Sequence, residues 1–167
     1  MAIKIETPRL LMREFTLDDA EAVLAFSTLE VTRYTGDAGA VKSVDDARHI
    51  IRDIWLTEYQ QHGYARYALV HKTDQRVIGF CGLKYERHLG GPDLGYRMLP
   101  EYWGQGLGLE AAKAALEYGQ QVLKLNPIYA EVVKQNTASR RIIEKLGMIW
   151  QMEYEEDGEQ ILRYRTP

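Results

Sequence analysis

One cysteine, four histidines and five prolines occur in 167 residues. A lone Cys81 cannot close an intramolecular disulfide, and it cannot make a multi-cysteine zinc site. His49, His62, His71 and His88 are spread out and lack metal-ligand spacing, so no metal centre is expected. Long hydrophobic runs are missing too. The longest nearly apolar stretch, from Val77 to Leu83, falls far short of the roughly 20 residues of a membrane span. The start, MAIKIETPR, has charges where a leader peptide needs an apolar stretch. Nor is there a basic block. Lys plus Arg is 21 and Asp plus Glu is 24, a net charge of −3, which argues against holding nucleic acid by phosphate neutralisation. By absence of the alternatives, the reading is a cytoplasmic protein with no membrane and no nucleic acid among its partners.

What is there is the composition of a globular protein: 46% hydrophobic and 27% charged residues, enough for one sizeable core. The length fits a single domain over 1–167. Eleven tyrosines are the one excess, and aromatics of this kind both fill cores and line pockets.

Periodicity gives the order of elements. Residues 3–15 are extended, with Pro8 confining them to an edge or irregular strand. Thr16 and Asp19 form a capping-box signal ahead of a first helix. Residues 30–41 have little period and form a loop. Ser43 with Asp46 starts a second helix, whose Ala47, Ile50, Ile51, Ile54, Trp55 and Tyr59 make one buried face and which Gly63 ends. Tyr34, Trp55 and Tyr59 could line a pocket, although helical spacing assigns Trp55 and Tyr59 to the core. Alternating strands over 64–71 and 76–86 follow, then a third from Asp93 to Leu99. A loop from Pro100 to Gly108 leads into a helix over 109–125. A strand over 128–134, a helix over 139–147 and a final hairpin around Asp157-Gly158 complete the chain. The fold class is α/β (α+β): a mixed, mostly antiparallel sheet with flanking helices and one strand–helix–strand crossover.

That crossover carries the chemistry. Glycines at 104, 106 and 108 immediately precede a helix. A helix N-terminus has unpaired N–H groups and partial positive charge, and glycines let backbone approach a phosphate closely. The alternative is a tight turn that only needs glycine. A Walker A loop is excluded because no Lys-Ser/Thr pair follows the last glycine. Gly106, Gly108 and Ala111 also match a dinucleotide fingerprint, with Glu131 twenty residues further on. Against that match, Glu101 to Gln105 separate Pro100 from the first fingerprint glycine, and a single crossover cannot build a dinucleotide-sized parallel sheet.

LGYRMLPEYWGQGLGLEAAKAAL, followed by NTASRRIIEKLGM, resembles the GNAT N-acetyltransferases, closest to the branch that includes the ribosomal-protein N-terminal acetyltransferases. The opening TPRLLMREFTLDDAEAV is similar to the start of the same branch. The wider family's loop is Q/R-x-x-G-x-G/A, and Trp103 stands at its first position, as is common in this branch. The resemblance implies acetyl-CoA as co-substrate, an amine acceptor (a peptide N-terminus or a small molecule) and a possible homodimer. It implies that backbone N–H groups of Gly104, Gln105, Gly106, Leu107, Gly108 and Leu109 hold the pyrophosphate. The strand edge ending at Met98 and Leu99 would pair with the pantetheine arm like an added strand, the neighbouring parallel strand splaying away. Met98 N–H would hold the thioester oxygen. Asn136 would hydrogen-bond the same arm, and Ser139 would be the candidate acid. Helix capping is the other reading of Asn136 and Ser139, and the two are compatible.

Many of these enzymes protonate the leaving thiolate with a tyrosine four residues before the glycine that ends this helix. Here that position is Ile143, which has no proton to give. Direct attack needs a neutral amine. An α-amine, with a pKa of about 7.7–8.0, is roughly a tenth neutral at pH 7, so a modest base suffices. Asp93 and Glu86 are candidates, with solvated strand-end charge as the alternative. Arg140, Arg141 and Lys145 could reach a 3′-phosphate or form an ordinary solvated face. Cys81, inside GFCGL, is read as a core thiol. A non-catalytic acyl-CoA-binding protein is the second functional reading, supported by Ile143.

Overall fold

A computed structural model describes residues 2–167. The N-terminal segment is a short hairpin and not one extended strand: β1 (Ile3–Glu6) pairs antiparallel with β2 (Leu10–Arg13). Pro8 lies in the turn, where its missing N–H costs nothing, and Thr7 N–H closes the turn on the Leu10 carbonyl at 2.9 Å. A 3₁₀ turn (Leu17–Asp19) then opens α1 (Ala20–Ala25). The backbone N–H of Thr16 donates to Asp19 Oδ2 at 2.9 Å, as the capping signal predicts.

Residues 30–41 form successive turns. The second helix starts where Ser43 accepts from Asp46 N–H at 3.0 Å. It runs as α2 (Val44–Ile50), a π-helical stretch (Ile51–Leu56) and α3 (Thr57–His62), ending on Gly63 at φ +79°. The wider π turn is not visible in the 3.6-residue period. Trp55 and Tyr59 are core residues. Trp55 stacks on Phe15 with centroids 4.2 Å apart, and the Tyr59 hydroxyl donates to the Arg66 carbonyl at 2.6 Å.

Strands β3 (Arg66–His71), β4 (Arg76–Glu86) and β5 (Gly91–Met98) continue the antiparallel run. A 3₁₀ turn (Pro100–Tyr102) interrupts the expected loop. Helix α4 spans Leu107–Gln121, beginning two residues earlier and ending four earlier than the sequence suggests. The early start follows from Gly106, which takes the cap position at φ +80°. The early end follows from Lys124 at φ +58°, which folds the chain back so that Leu125 N–H reaches the Gly119 carbonyl at 2.9 Å. Strand β6 (Tyr129–Val133), helix α5 (Thr137–Lys145) and the hairpin β7 (Ile149–Glu156) and β8 (Glu159–Arg165) follow.

Among the described residues, eight strands form one sheet in the order β1-β2-β3-β4-β5-β6-β8-β7. Successive residues of a strand face opposite sides. On β4, Phe80 meets Phe26 and Trp55 from the α1 and α2–α3 side, while Leu83 faces α4. Helix α4 presents Ala111, Ala112, Ala115 and Gly119 to the sheet. A Cβ on Gly119 would stand 2.5 Å from Leu83 Cδ1 and 2.9 Å from Ile128 Cδ1, so a side chain there would force both core side chains to shift.

One topological feature positions the site. β5 and β6 are the parallel pair, and they share a single rung, Asp93 opposite Tyr129. Beyond it they diverge, since β6 is laddered to β8 over its whole length and β5 to β4. The expected mixed sheet with a splayed parallel pair is the architecture found.

Candidate active site

A cleft of about 620 Å³ fills the opening between β5 and β6. Asp93, Tyr96, Asn136, Ser139 and Ile143 line it, together with Arg66, Arg97, Glu131 and the loop that includes Tyr34. The sequence-predicted Asp93, Asn136 and Ser139 are thus brought to one cavity. Glu86, the other candidate base, lies on its wall as well.

The glycine loop sits at the margin of the cleft and touches it through Gly108. A Cβ on Gly108 would stand 3.1 Å from Tyr96 and 3.2 Å from Ile142, both cleft residues. Gly104 and Gly106 are needed for another reason: both have left-handed φ, +74° and +80°. In front of Gly104 there is open space, and beside Gly106 the nearest group is Arg9 Nη2, 3.5 Å from a built Cβ. No side chain caps α4, so the first-turn N–H groups of Leu107, Gly108 and Leu109 point outward without a side-chain cap. Met98, Leu99 and Leu107 are buried, so they can serve a ligand only through their backbone. Trp103 Nε1 donates to the Met98 carbonyl at 2.8 Å, which explains what the indole does at the first position of the loop pattern.

The N-terminal hairpin braces this loop. Glu110 Oε1 accepts from Arg9 Nε at 2.8 Å, and Oε2 accepts from Arg9 N at 3.0 Å and Thr7 Oγ1 at 2.6 Å. Arg9 Nη1 also donates to the Gln105 carbonyl at 2.9 Å. Burial opposes the Glu110 charge, but these bonds outweigh it and hold the carboxyl below its ordinary pKa.

Asn136 caps α5, its Oδ1 accepting from Ser139 N–H at 3.3 Å. The capping reading therefore holds, and the Asn136 amide NH₂ lies outside that bond. Arg140 also has a local partner: its Nη1 donates to the Lys134 carbonyl at 3.1 Å. Asp93 Oδ2 accepts from Arg66 Nη2 at 2.7 Å, and Arg66 Nη1 donates to the Asp93 carbonyl at 2.7 Å and to the Gly82 carbonyl. Burial raises the Asp93 pKa and Arg66 pulls it back only in part. Gly95 has no side chain because Arg66 Nη2 would lie 2.7 Å from its Cβ.

Several cleft residues escape the sequence reading. Arg66 and Arg97 sit inside the runs RYALV and GYRML, and a charge within an apolar strand is the signal that should have marked them. Tyr96 faces Ser139; burial raises its pKa and the serine hydroxyl lowers it. Two hydroxyls therefore occupy the cavity that Ile143 also lines. Glu131, the residue a dinucleotide fingerprint would assign to a ribose, is instead within 2.6 Å of His88 Nε2 and accepts from Tyr154 at 2.8 Å and Arg163 at 3.0 Å.

The family description "Acetyltransferase (GNAT) domain" matches residues 9–149. The chain belongs to the GNAT acetyltransferase family. It is 34% identical over 149 residues to the uncharacterized N-acetyltransferase YoaA of Bacillus subtilis, covering 86% of this chain and 81% of that one. A GNAT-family acetyltransferase from Bacillus anthracis superimposes with a TM-score of 0.80 at 25% identity, covering 96% of each chain. The ribosomal L7/L12 alpha-N-protein acetyltransferase RimL, solved with coenzyme A, shares the fold at a TM-score of 0.83 and 15% identity, over 98% of this chain and 97% of that one. This GNAT protein is an N-acetyltransferase, and the fold implies acetyl-CoA as donor. Among the described residues, no helix is long and apolar enough to cross a membrane.

Proposed function

We propose that this GNAT enzyme moves the acetyl group of acetyl-CoA to a primary amine by direct attack in a ternary complex, in the cytoplasm. The acceptor is a protein N-terminus or a small-molecule amine. The observation that carries this reading is the single rung between β5 and β6, which leaves the β5 edge without a strand partner beside an uncapped helix start.

The residues fit the donor. Backbone N–H groups from Gly104 to Leu109 would hold the pyrophosphate in the open space before the loop, with the Arg9 guanidinium alongside. The β5 edge through Met98 and Leu99 would pair with the amide-bearing arm, and the Asn136 amide NH₂ would donate to it. When bound, acetyl-CoA supplies an acyl group activated as a thioester. The chain's own part is to orient the amine and move two protons. Asp93 would take the proton from the attacking nitrogen, helped by a pKa that burial raises. Ser139, next to Tyr96, would give the proton to the leaving sulfur in place of the absent tyrosine. The Met98 N–H would stabilise the charge that develops on the carbonyl oxygen.

A homodimer is the expected assembly, supported by Ile149, Trp150 and Met152, which are exposed on the edge strand β7. Thiol release from acetyl-CoA over a panel of amines tests the activity. Donor binding without turnover on any amine would leave only the acyl-CoA-binding reading.

A further inference from the structure

The two arginines of the cleft have unequal partners. Arg66 is matched by Asp93 and by two backbone carbonyls. Arg97 is not. Its side chain is only 9% exposed, its Nε is buried with no hydrogen-bond acceptor, and Nη2 takes its ionic bond from Asp37 alone. Both Asp37 oxygens lie 2.9 Å from that one nitrogen. An end-on contact of this kind leaves the Nε edge of the guanidinium unused, where a carboxylate laid along Nε and Nη2 would make two parallel bonds.

The partner itself is a makeshift one. Asp37 is 44% exposed and belongs to the irregular loop 30–41, so a buried cation is neutralised by a solvated carboxylate on a loop. Burial lowers the Arg97 pKa and Asp37 only partly restores it. The ring of Phe80, with its centroid 4.7 Å from Arg97 Cζ, makes a cation–π contact with the same guanidinium. Alternation along β5 puts Arg97 on the same face as Asp93 and Arg66, opposite the face on which Tyr96 meets Gly108 and Ser139. Cofactor elements thus lie on one side of β5 and Arg97 on the other, the side left for the acceptor.

We infer that Arg97 is the binding group for a carboxylate on the acceptor, and that Asp37 occupies this position until the acceptor displaces it. The acceptor class is an amine that carries its own carboxylate, such as a free amino acid. The inference rests on the acetyl-transfer reading and narrows it. Loop 30–41 then acts as a strap: its aspartate imitates the substrate's anion, and exchange of one carboxylate for the other accompanies opening of the cleft.

The test compares L-amino acids with their carboxamides as acceptors, with kcat/KM expressed per neutral amine because the carboxamide's amine is the less basic of the two. The acid is expected to exceed the amide in kcat/KM by about tenfold or more, because an unmatched buried guanidinium penalises the amide. Arg97→Gln should erase that preference through KM, with acetyl-CoA affinity unchanged. Asp37→Ala should lower Tm by leaving the buried guanidinium unmatched, and in the folded protein it should lower KM for acids and leave amides unchanged. Equal use of acid and amide by the wild type, or an unchanged preference in both variants, overturns the inference. Turnover is not needed to decide it. In the Asp37→Ala protein, N-acetyl-L-leucine should raise Tm more than N-acetyl-L-leucinamide does. No difference there defeats the carboxylate site, whereas a difference without turnover of any amine defeats the transfer reading alone.

Discussion

Glu110 in the first turn of α4 is bound by Arg9 through both a side-chain and a backbone nitrogen, at 2.8 and 3.0 Å, a contact spanning 101 residues of sequence. It ties the first hairpin of the sheet to the loop that the donor's phosphates would meet. Thr7 and the Gln105 carbonyl complete the clamp.

Arg9→Ala should weaken CoA binding measurably while costing about 1 kcal/mol of stability, since Arg9 is partly exposed. Titration calorimetry and thermal unfolding read the two effects separately. Glu110 has a lowered pKa in the folded state, so its stabilisation is complete above its unfolded pKa near 4.5 and is lost as pH falls through the lower folded value. Glu110→Gln should therefore be less stable than wild type at neutral pH, and the gap should close in acid. A gap that does not change with pH would rule out the charged clamp.

Gly106→Glu should abolish CoA binding. A side chain at φ +80° costs about 1–2 kcal/mol in strain, and the added carboxylate would lie beside the Arg9 guanidinium, the cation proposed to flank the phosphates. Circular dichroism should show the fold intact. Unchanged CoA affinity in calorimetry would refute the assignment of this loop.

Asn136 and Ser139 can each be separated into structural and chemical roles. Asn136→Asp keeps the cap acceptor and removes the amide donor, so Tm should hold while CoA affinity falls. Asn136→Ala should lose both, with about 1 kcal/mol from the cap. Ser139→Ala should lower kcat with little change in KM for acetyl-CoA. An undiminished turnover number in Ser139→Ala would take the serine out of the acid role, and Tyr96→Phe asks the same of the phenol.

Cys81 is fully buried on β4 opposite Tyr96, and burial pushes its pKa up to about 12. The thiolate is the reactive form, so the native protein should not react with an aromatic disulfide reagent at pH 8. One equivalent should react once the protein unfolds in guanidinium chloride. Rapid labelling of the native state would contradict the core assignment.

Much of this was legible in the sequence wherever a local rule decides the outcome. Ser43 as a cap, Gly63 and Gly147 as helix ends, and Gly104 and Gly106 ahead of α4 each follow from backbone chemistry within a few residues, whereas Gly108, expected before the helix, lies in its first turn. The segments proposed for the cofactor were readable for the same reason, because they are one contiguous loop and one strand edge. The cluster on the opposite face of β5 was not. Arg66, Asp93, Arg97 and Asp37 meet only because β3, β5 and the loop 30–41 are brought to one face, and no local period records that meeting. Trp103 shows the same limit: its bond to the Met98 carbonyl depends on the 3₁₀ turn that folds the loop back over its own strand. The π turn before α3 escaped because a wider turn leaves the apolar face almost unchanged.

The lone rung between Asp93 and Tyr129 also bears on how much enzyme survives in the folded state. With so little ladder across the junction, β1–β5 and β6–β8 are held together there chiefly by α4, α5 and whatever lies in the gap. A donor bound in that gap stabilises the folded form alone, by about 2.7 kcal/mol at a hundredfold excess over its Kd. Saturation with acetyl-CoA should therefore raise the Tm of the enzyme, making the donor a structural ligand of the junction as well as a reactant.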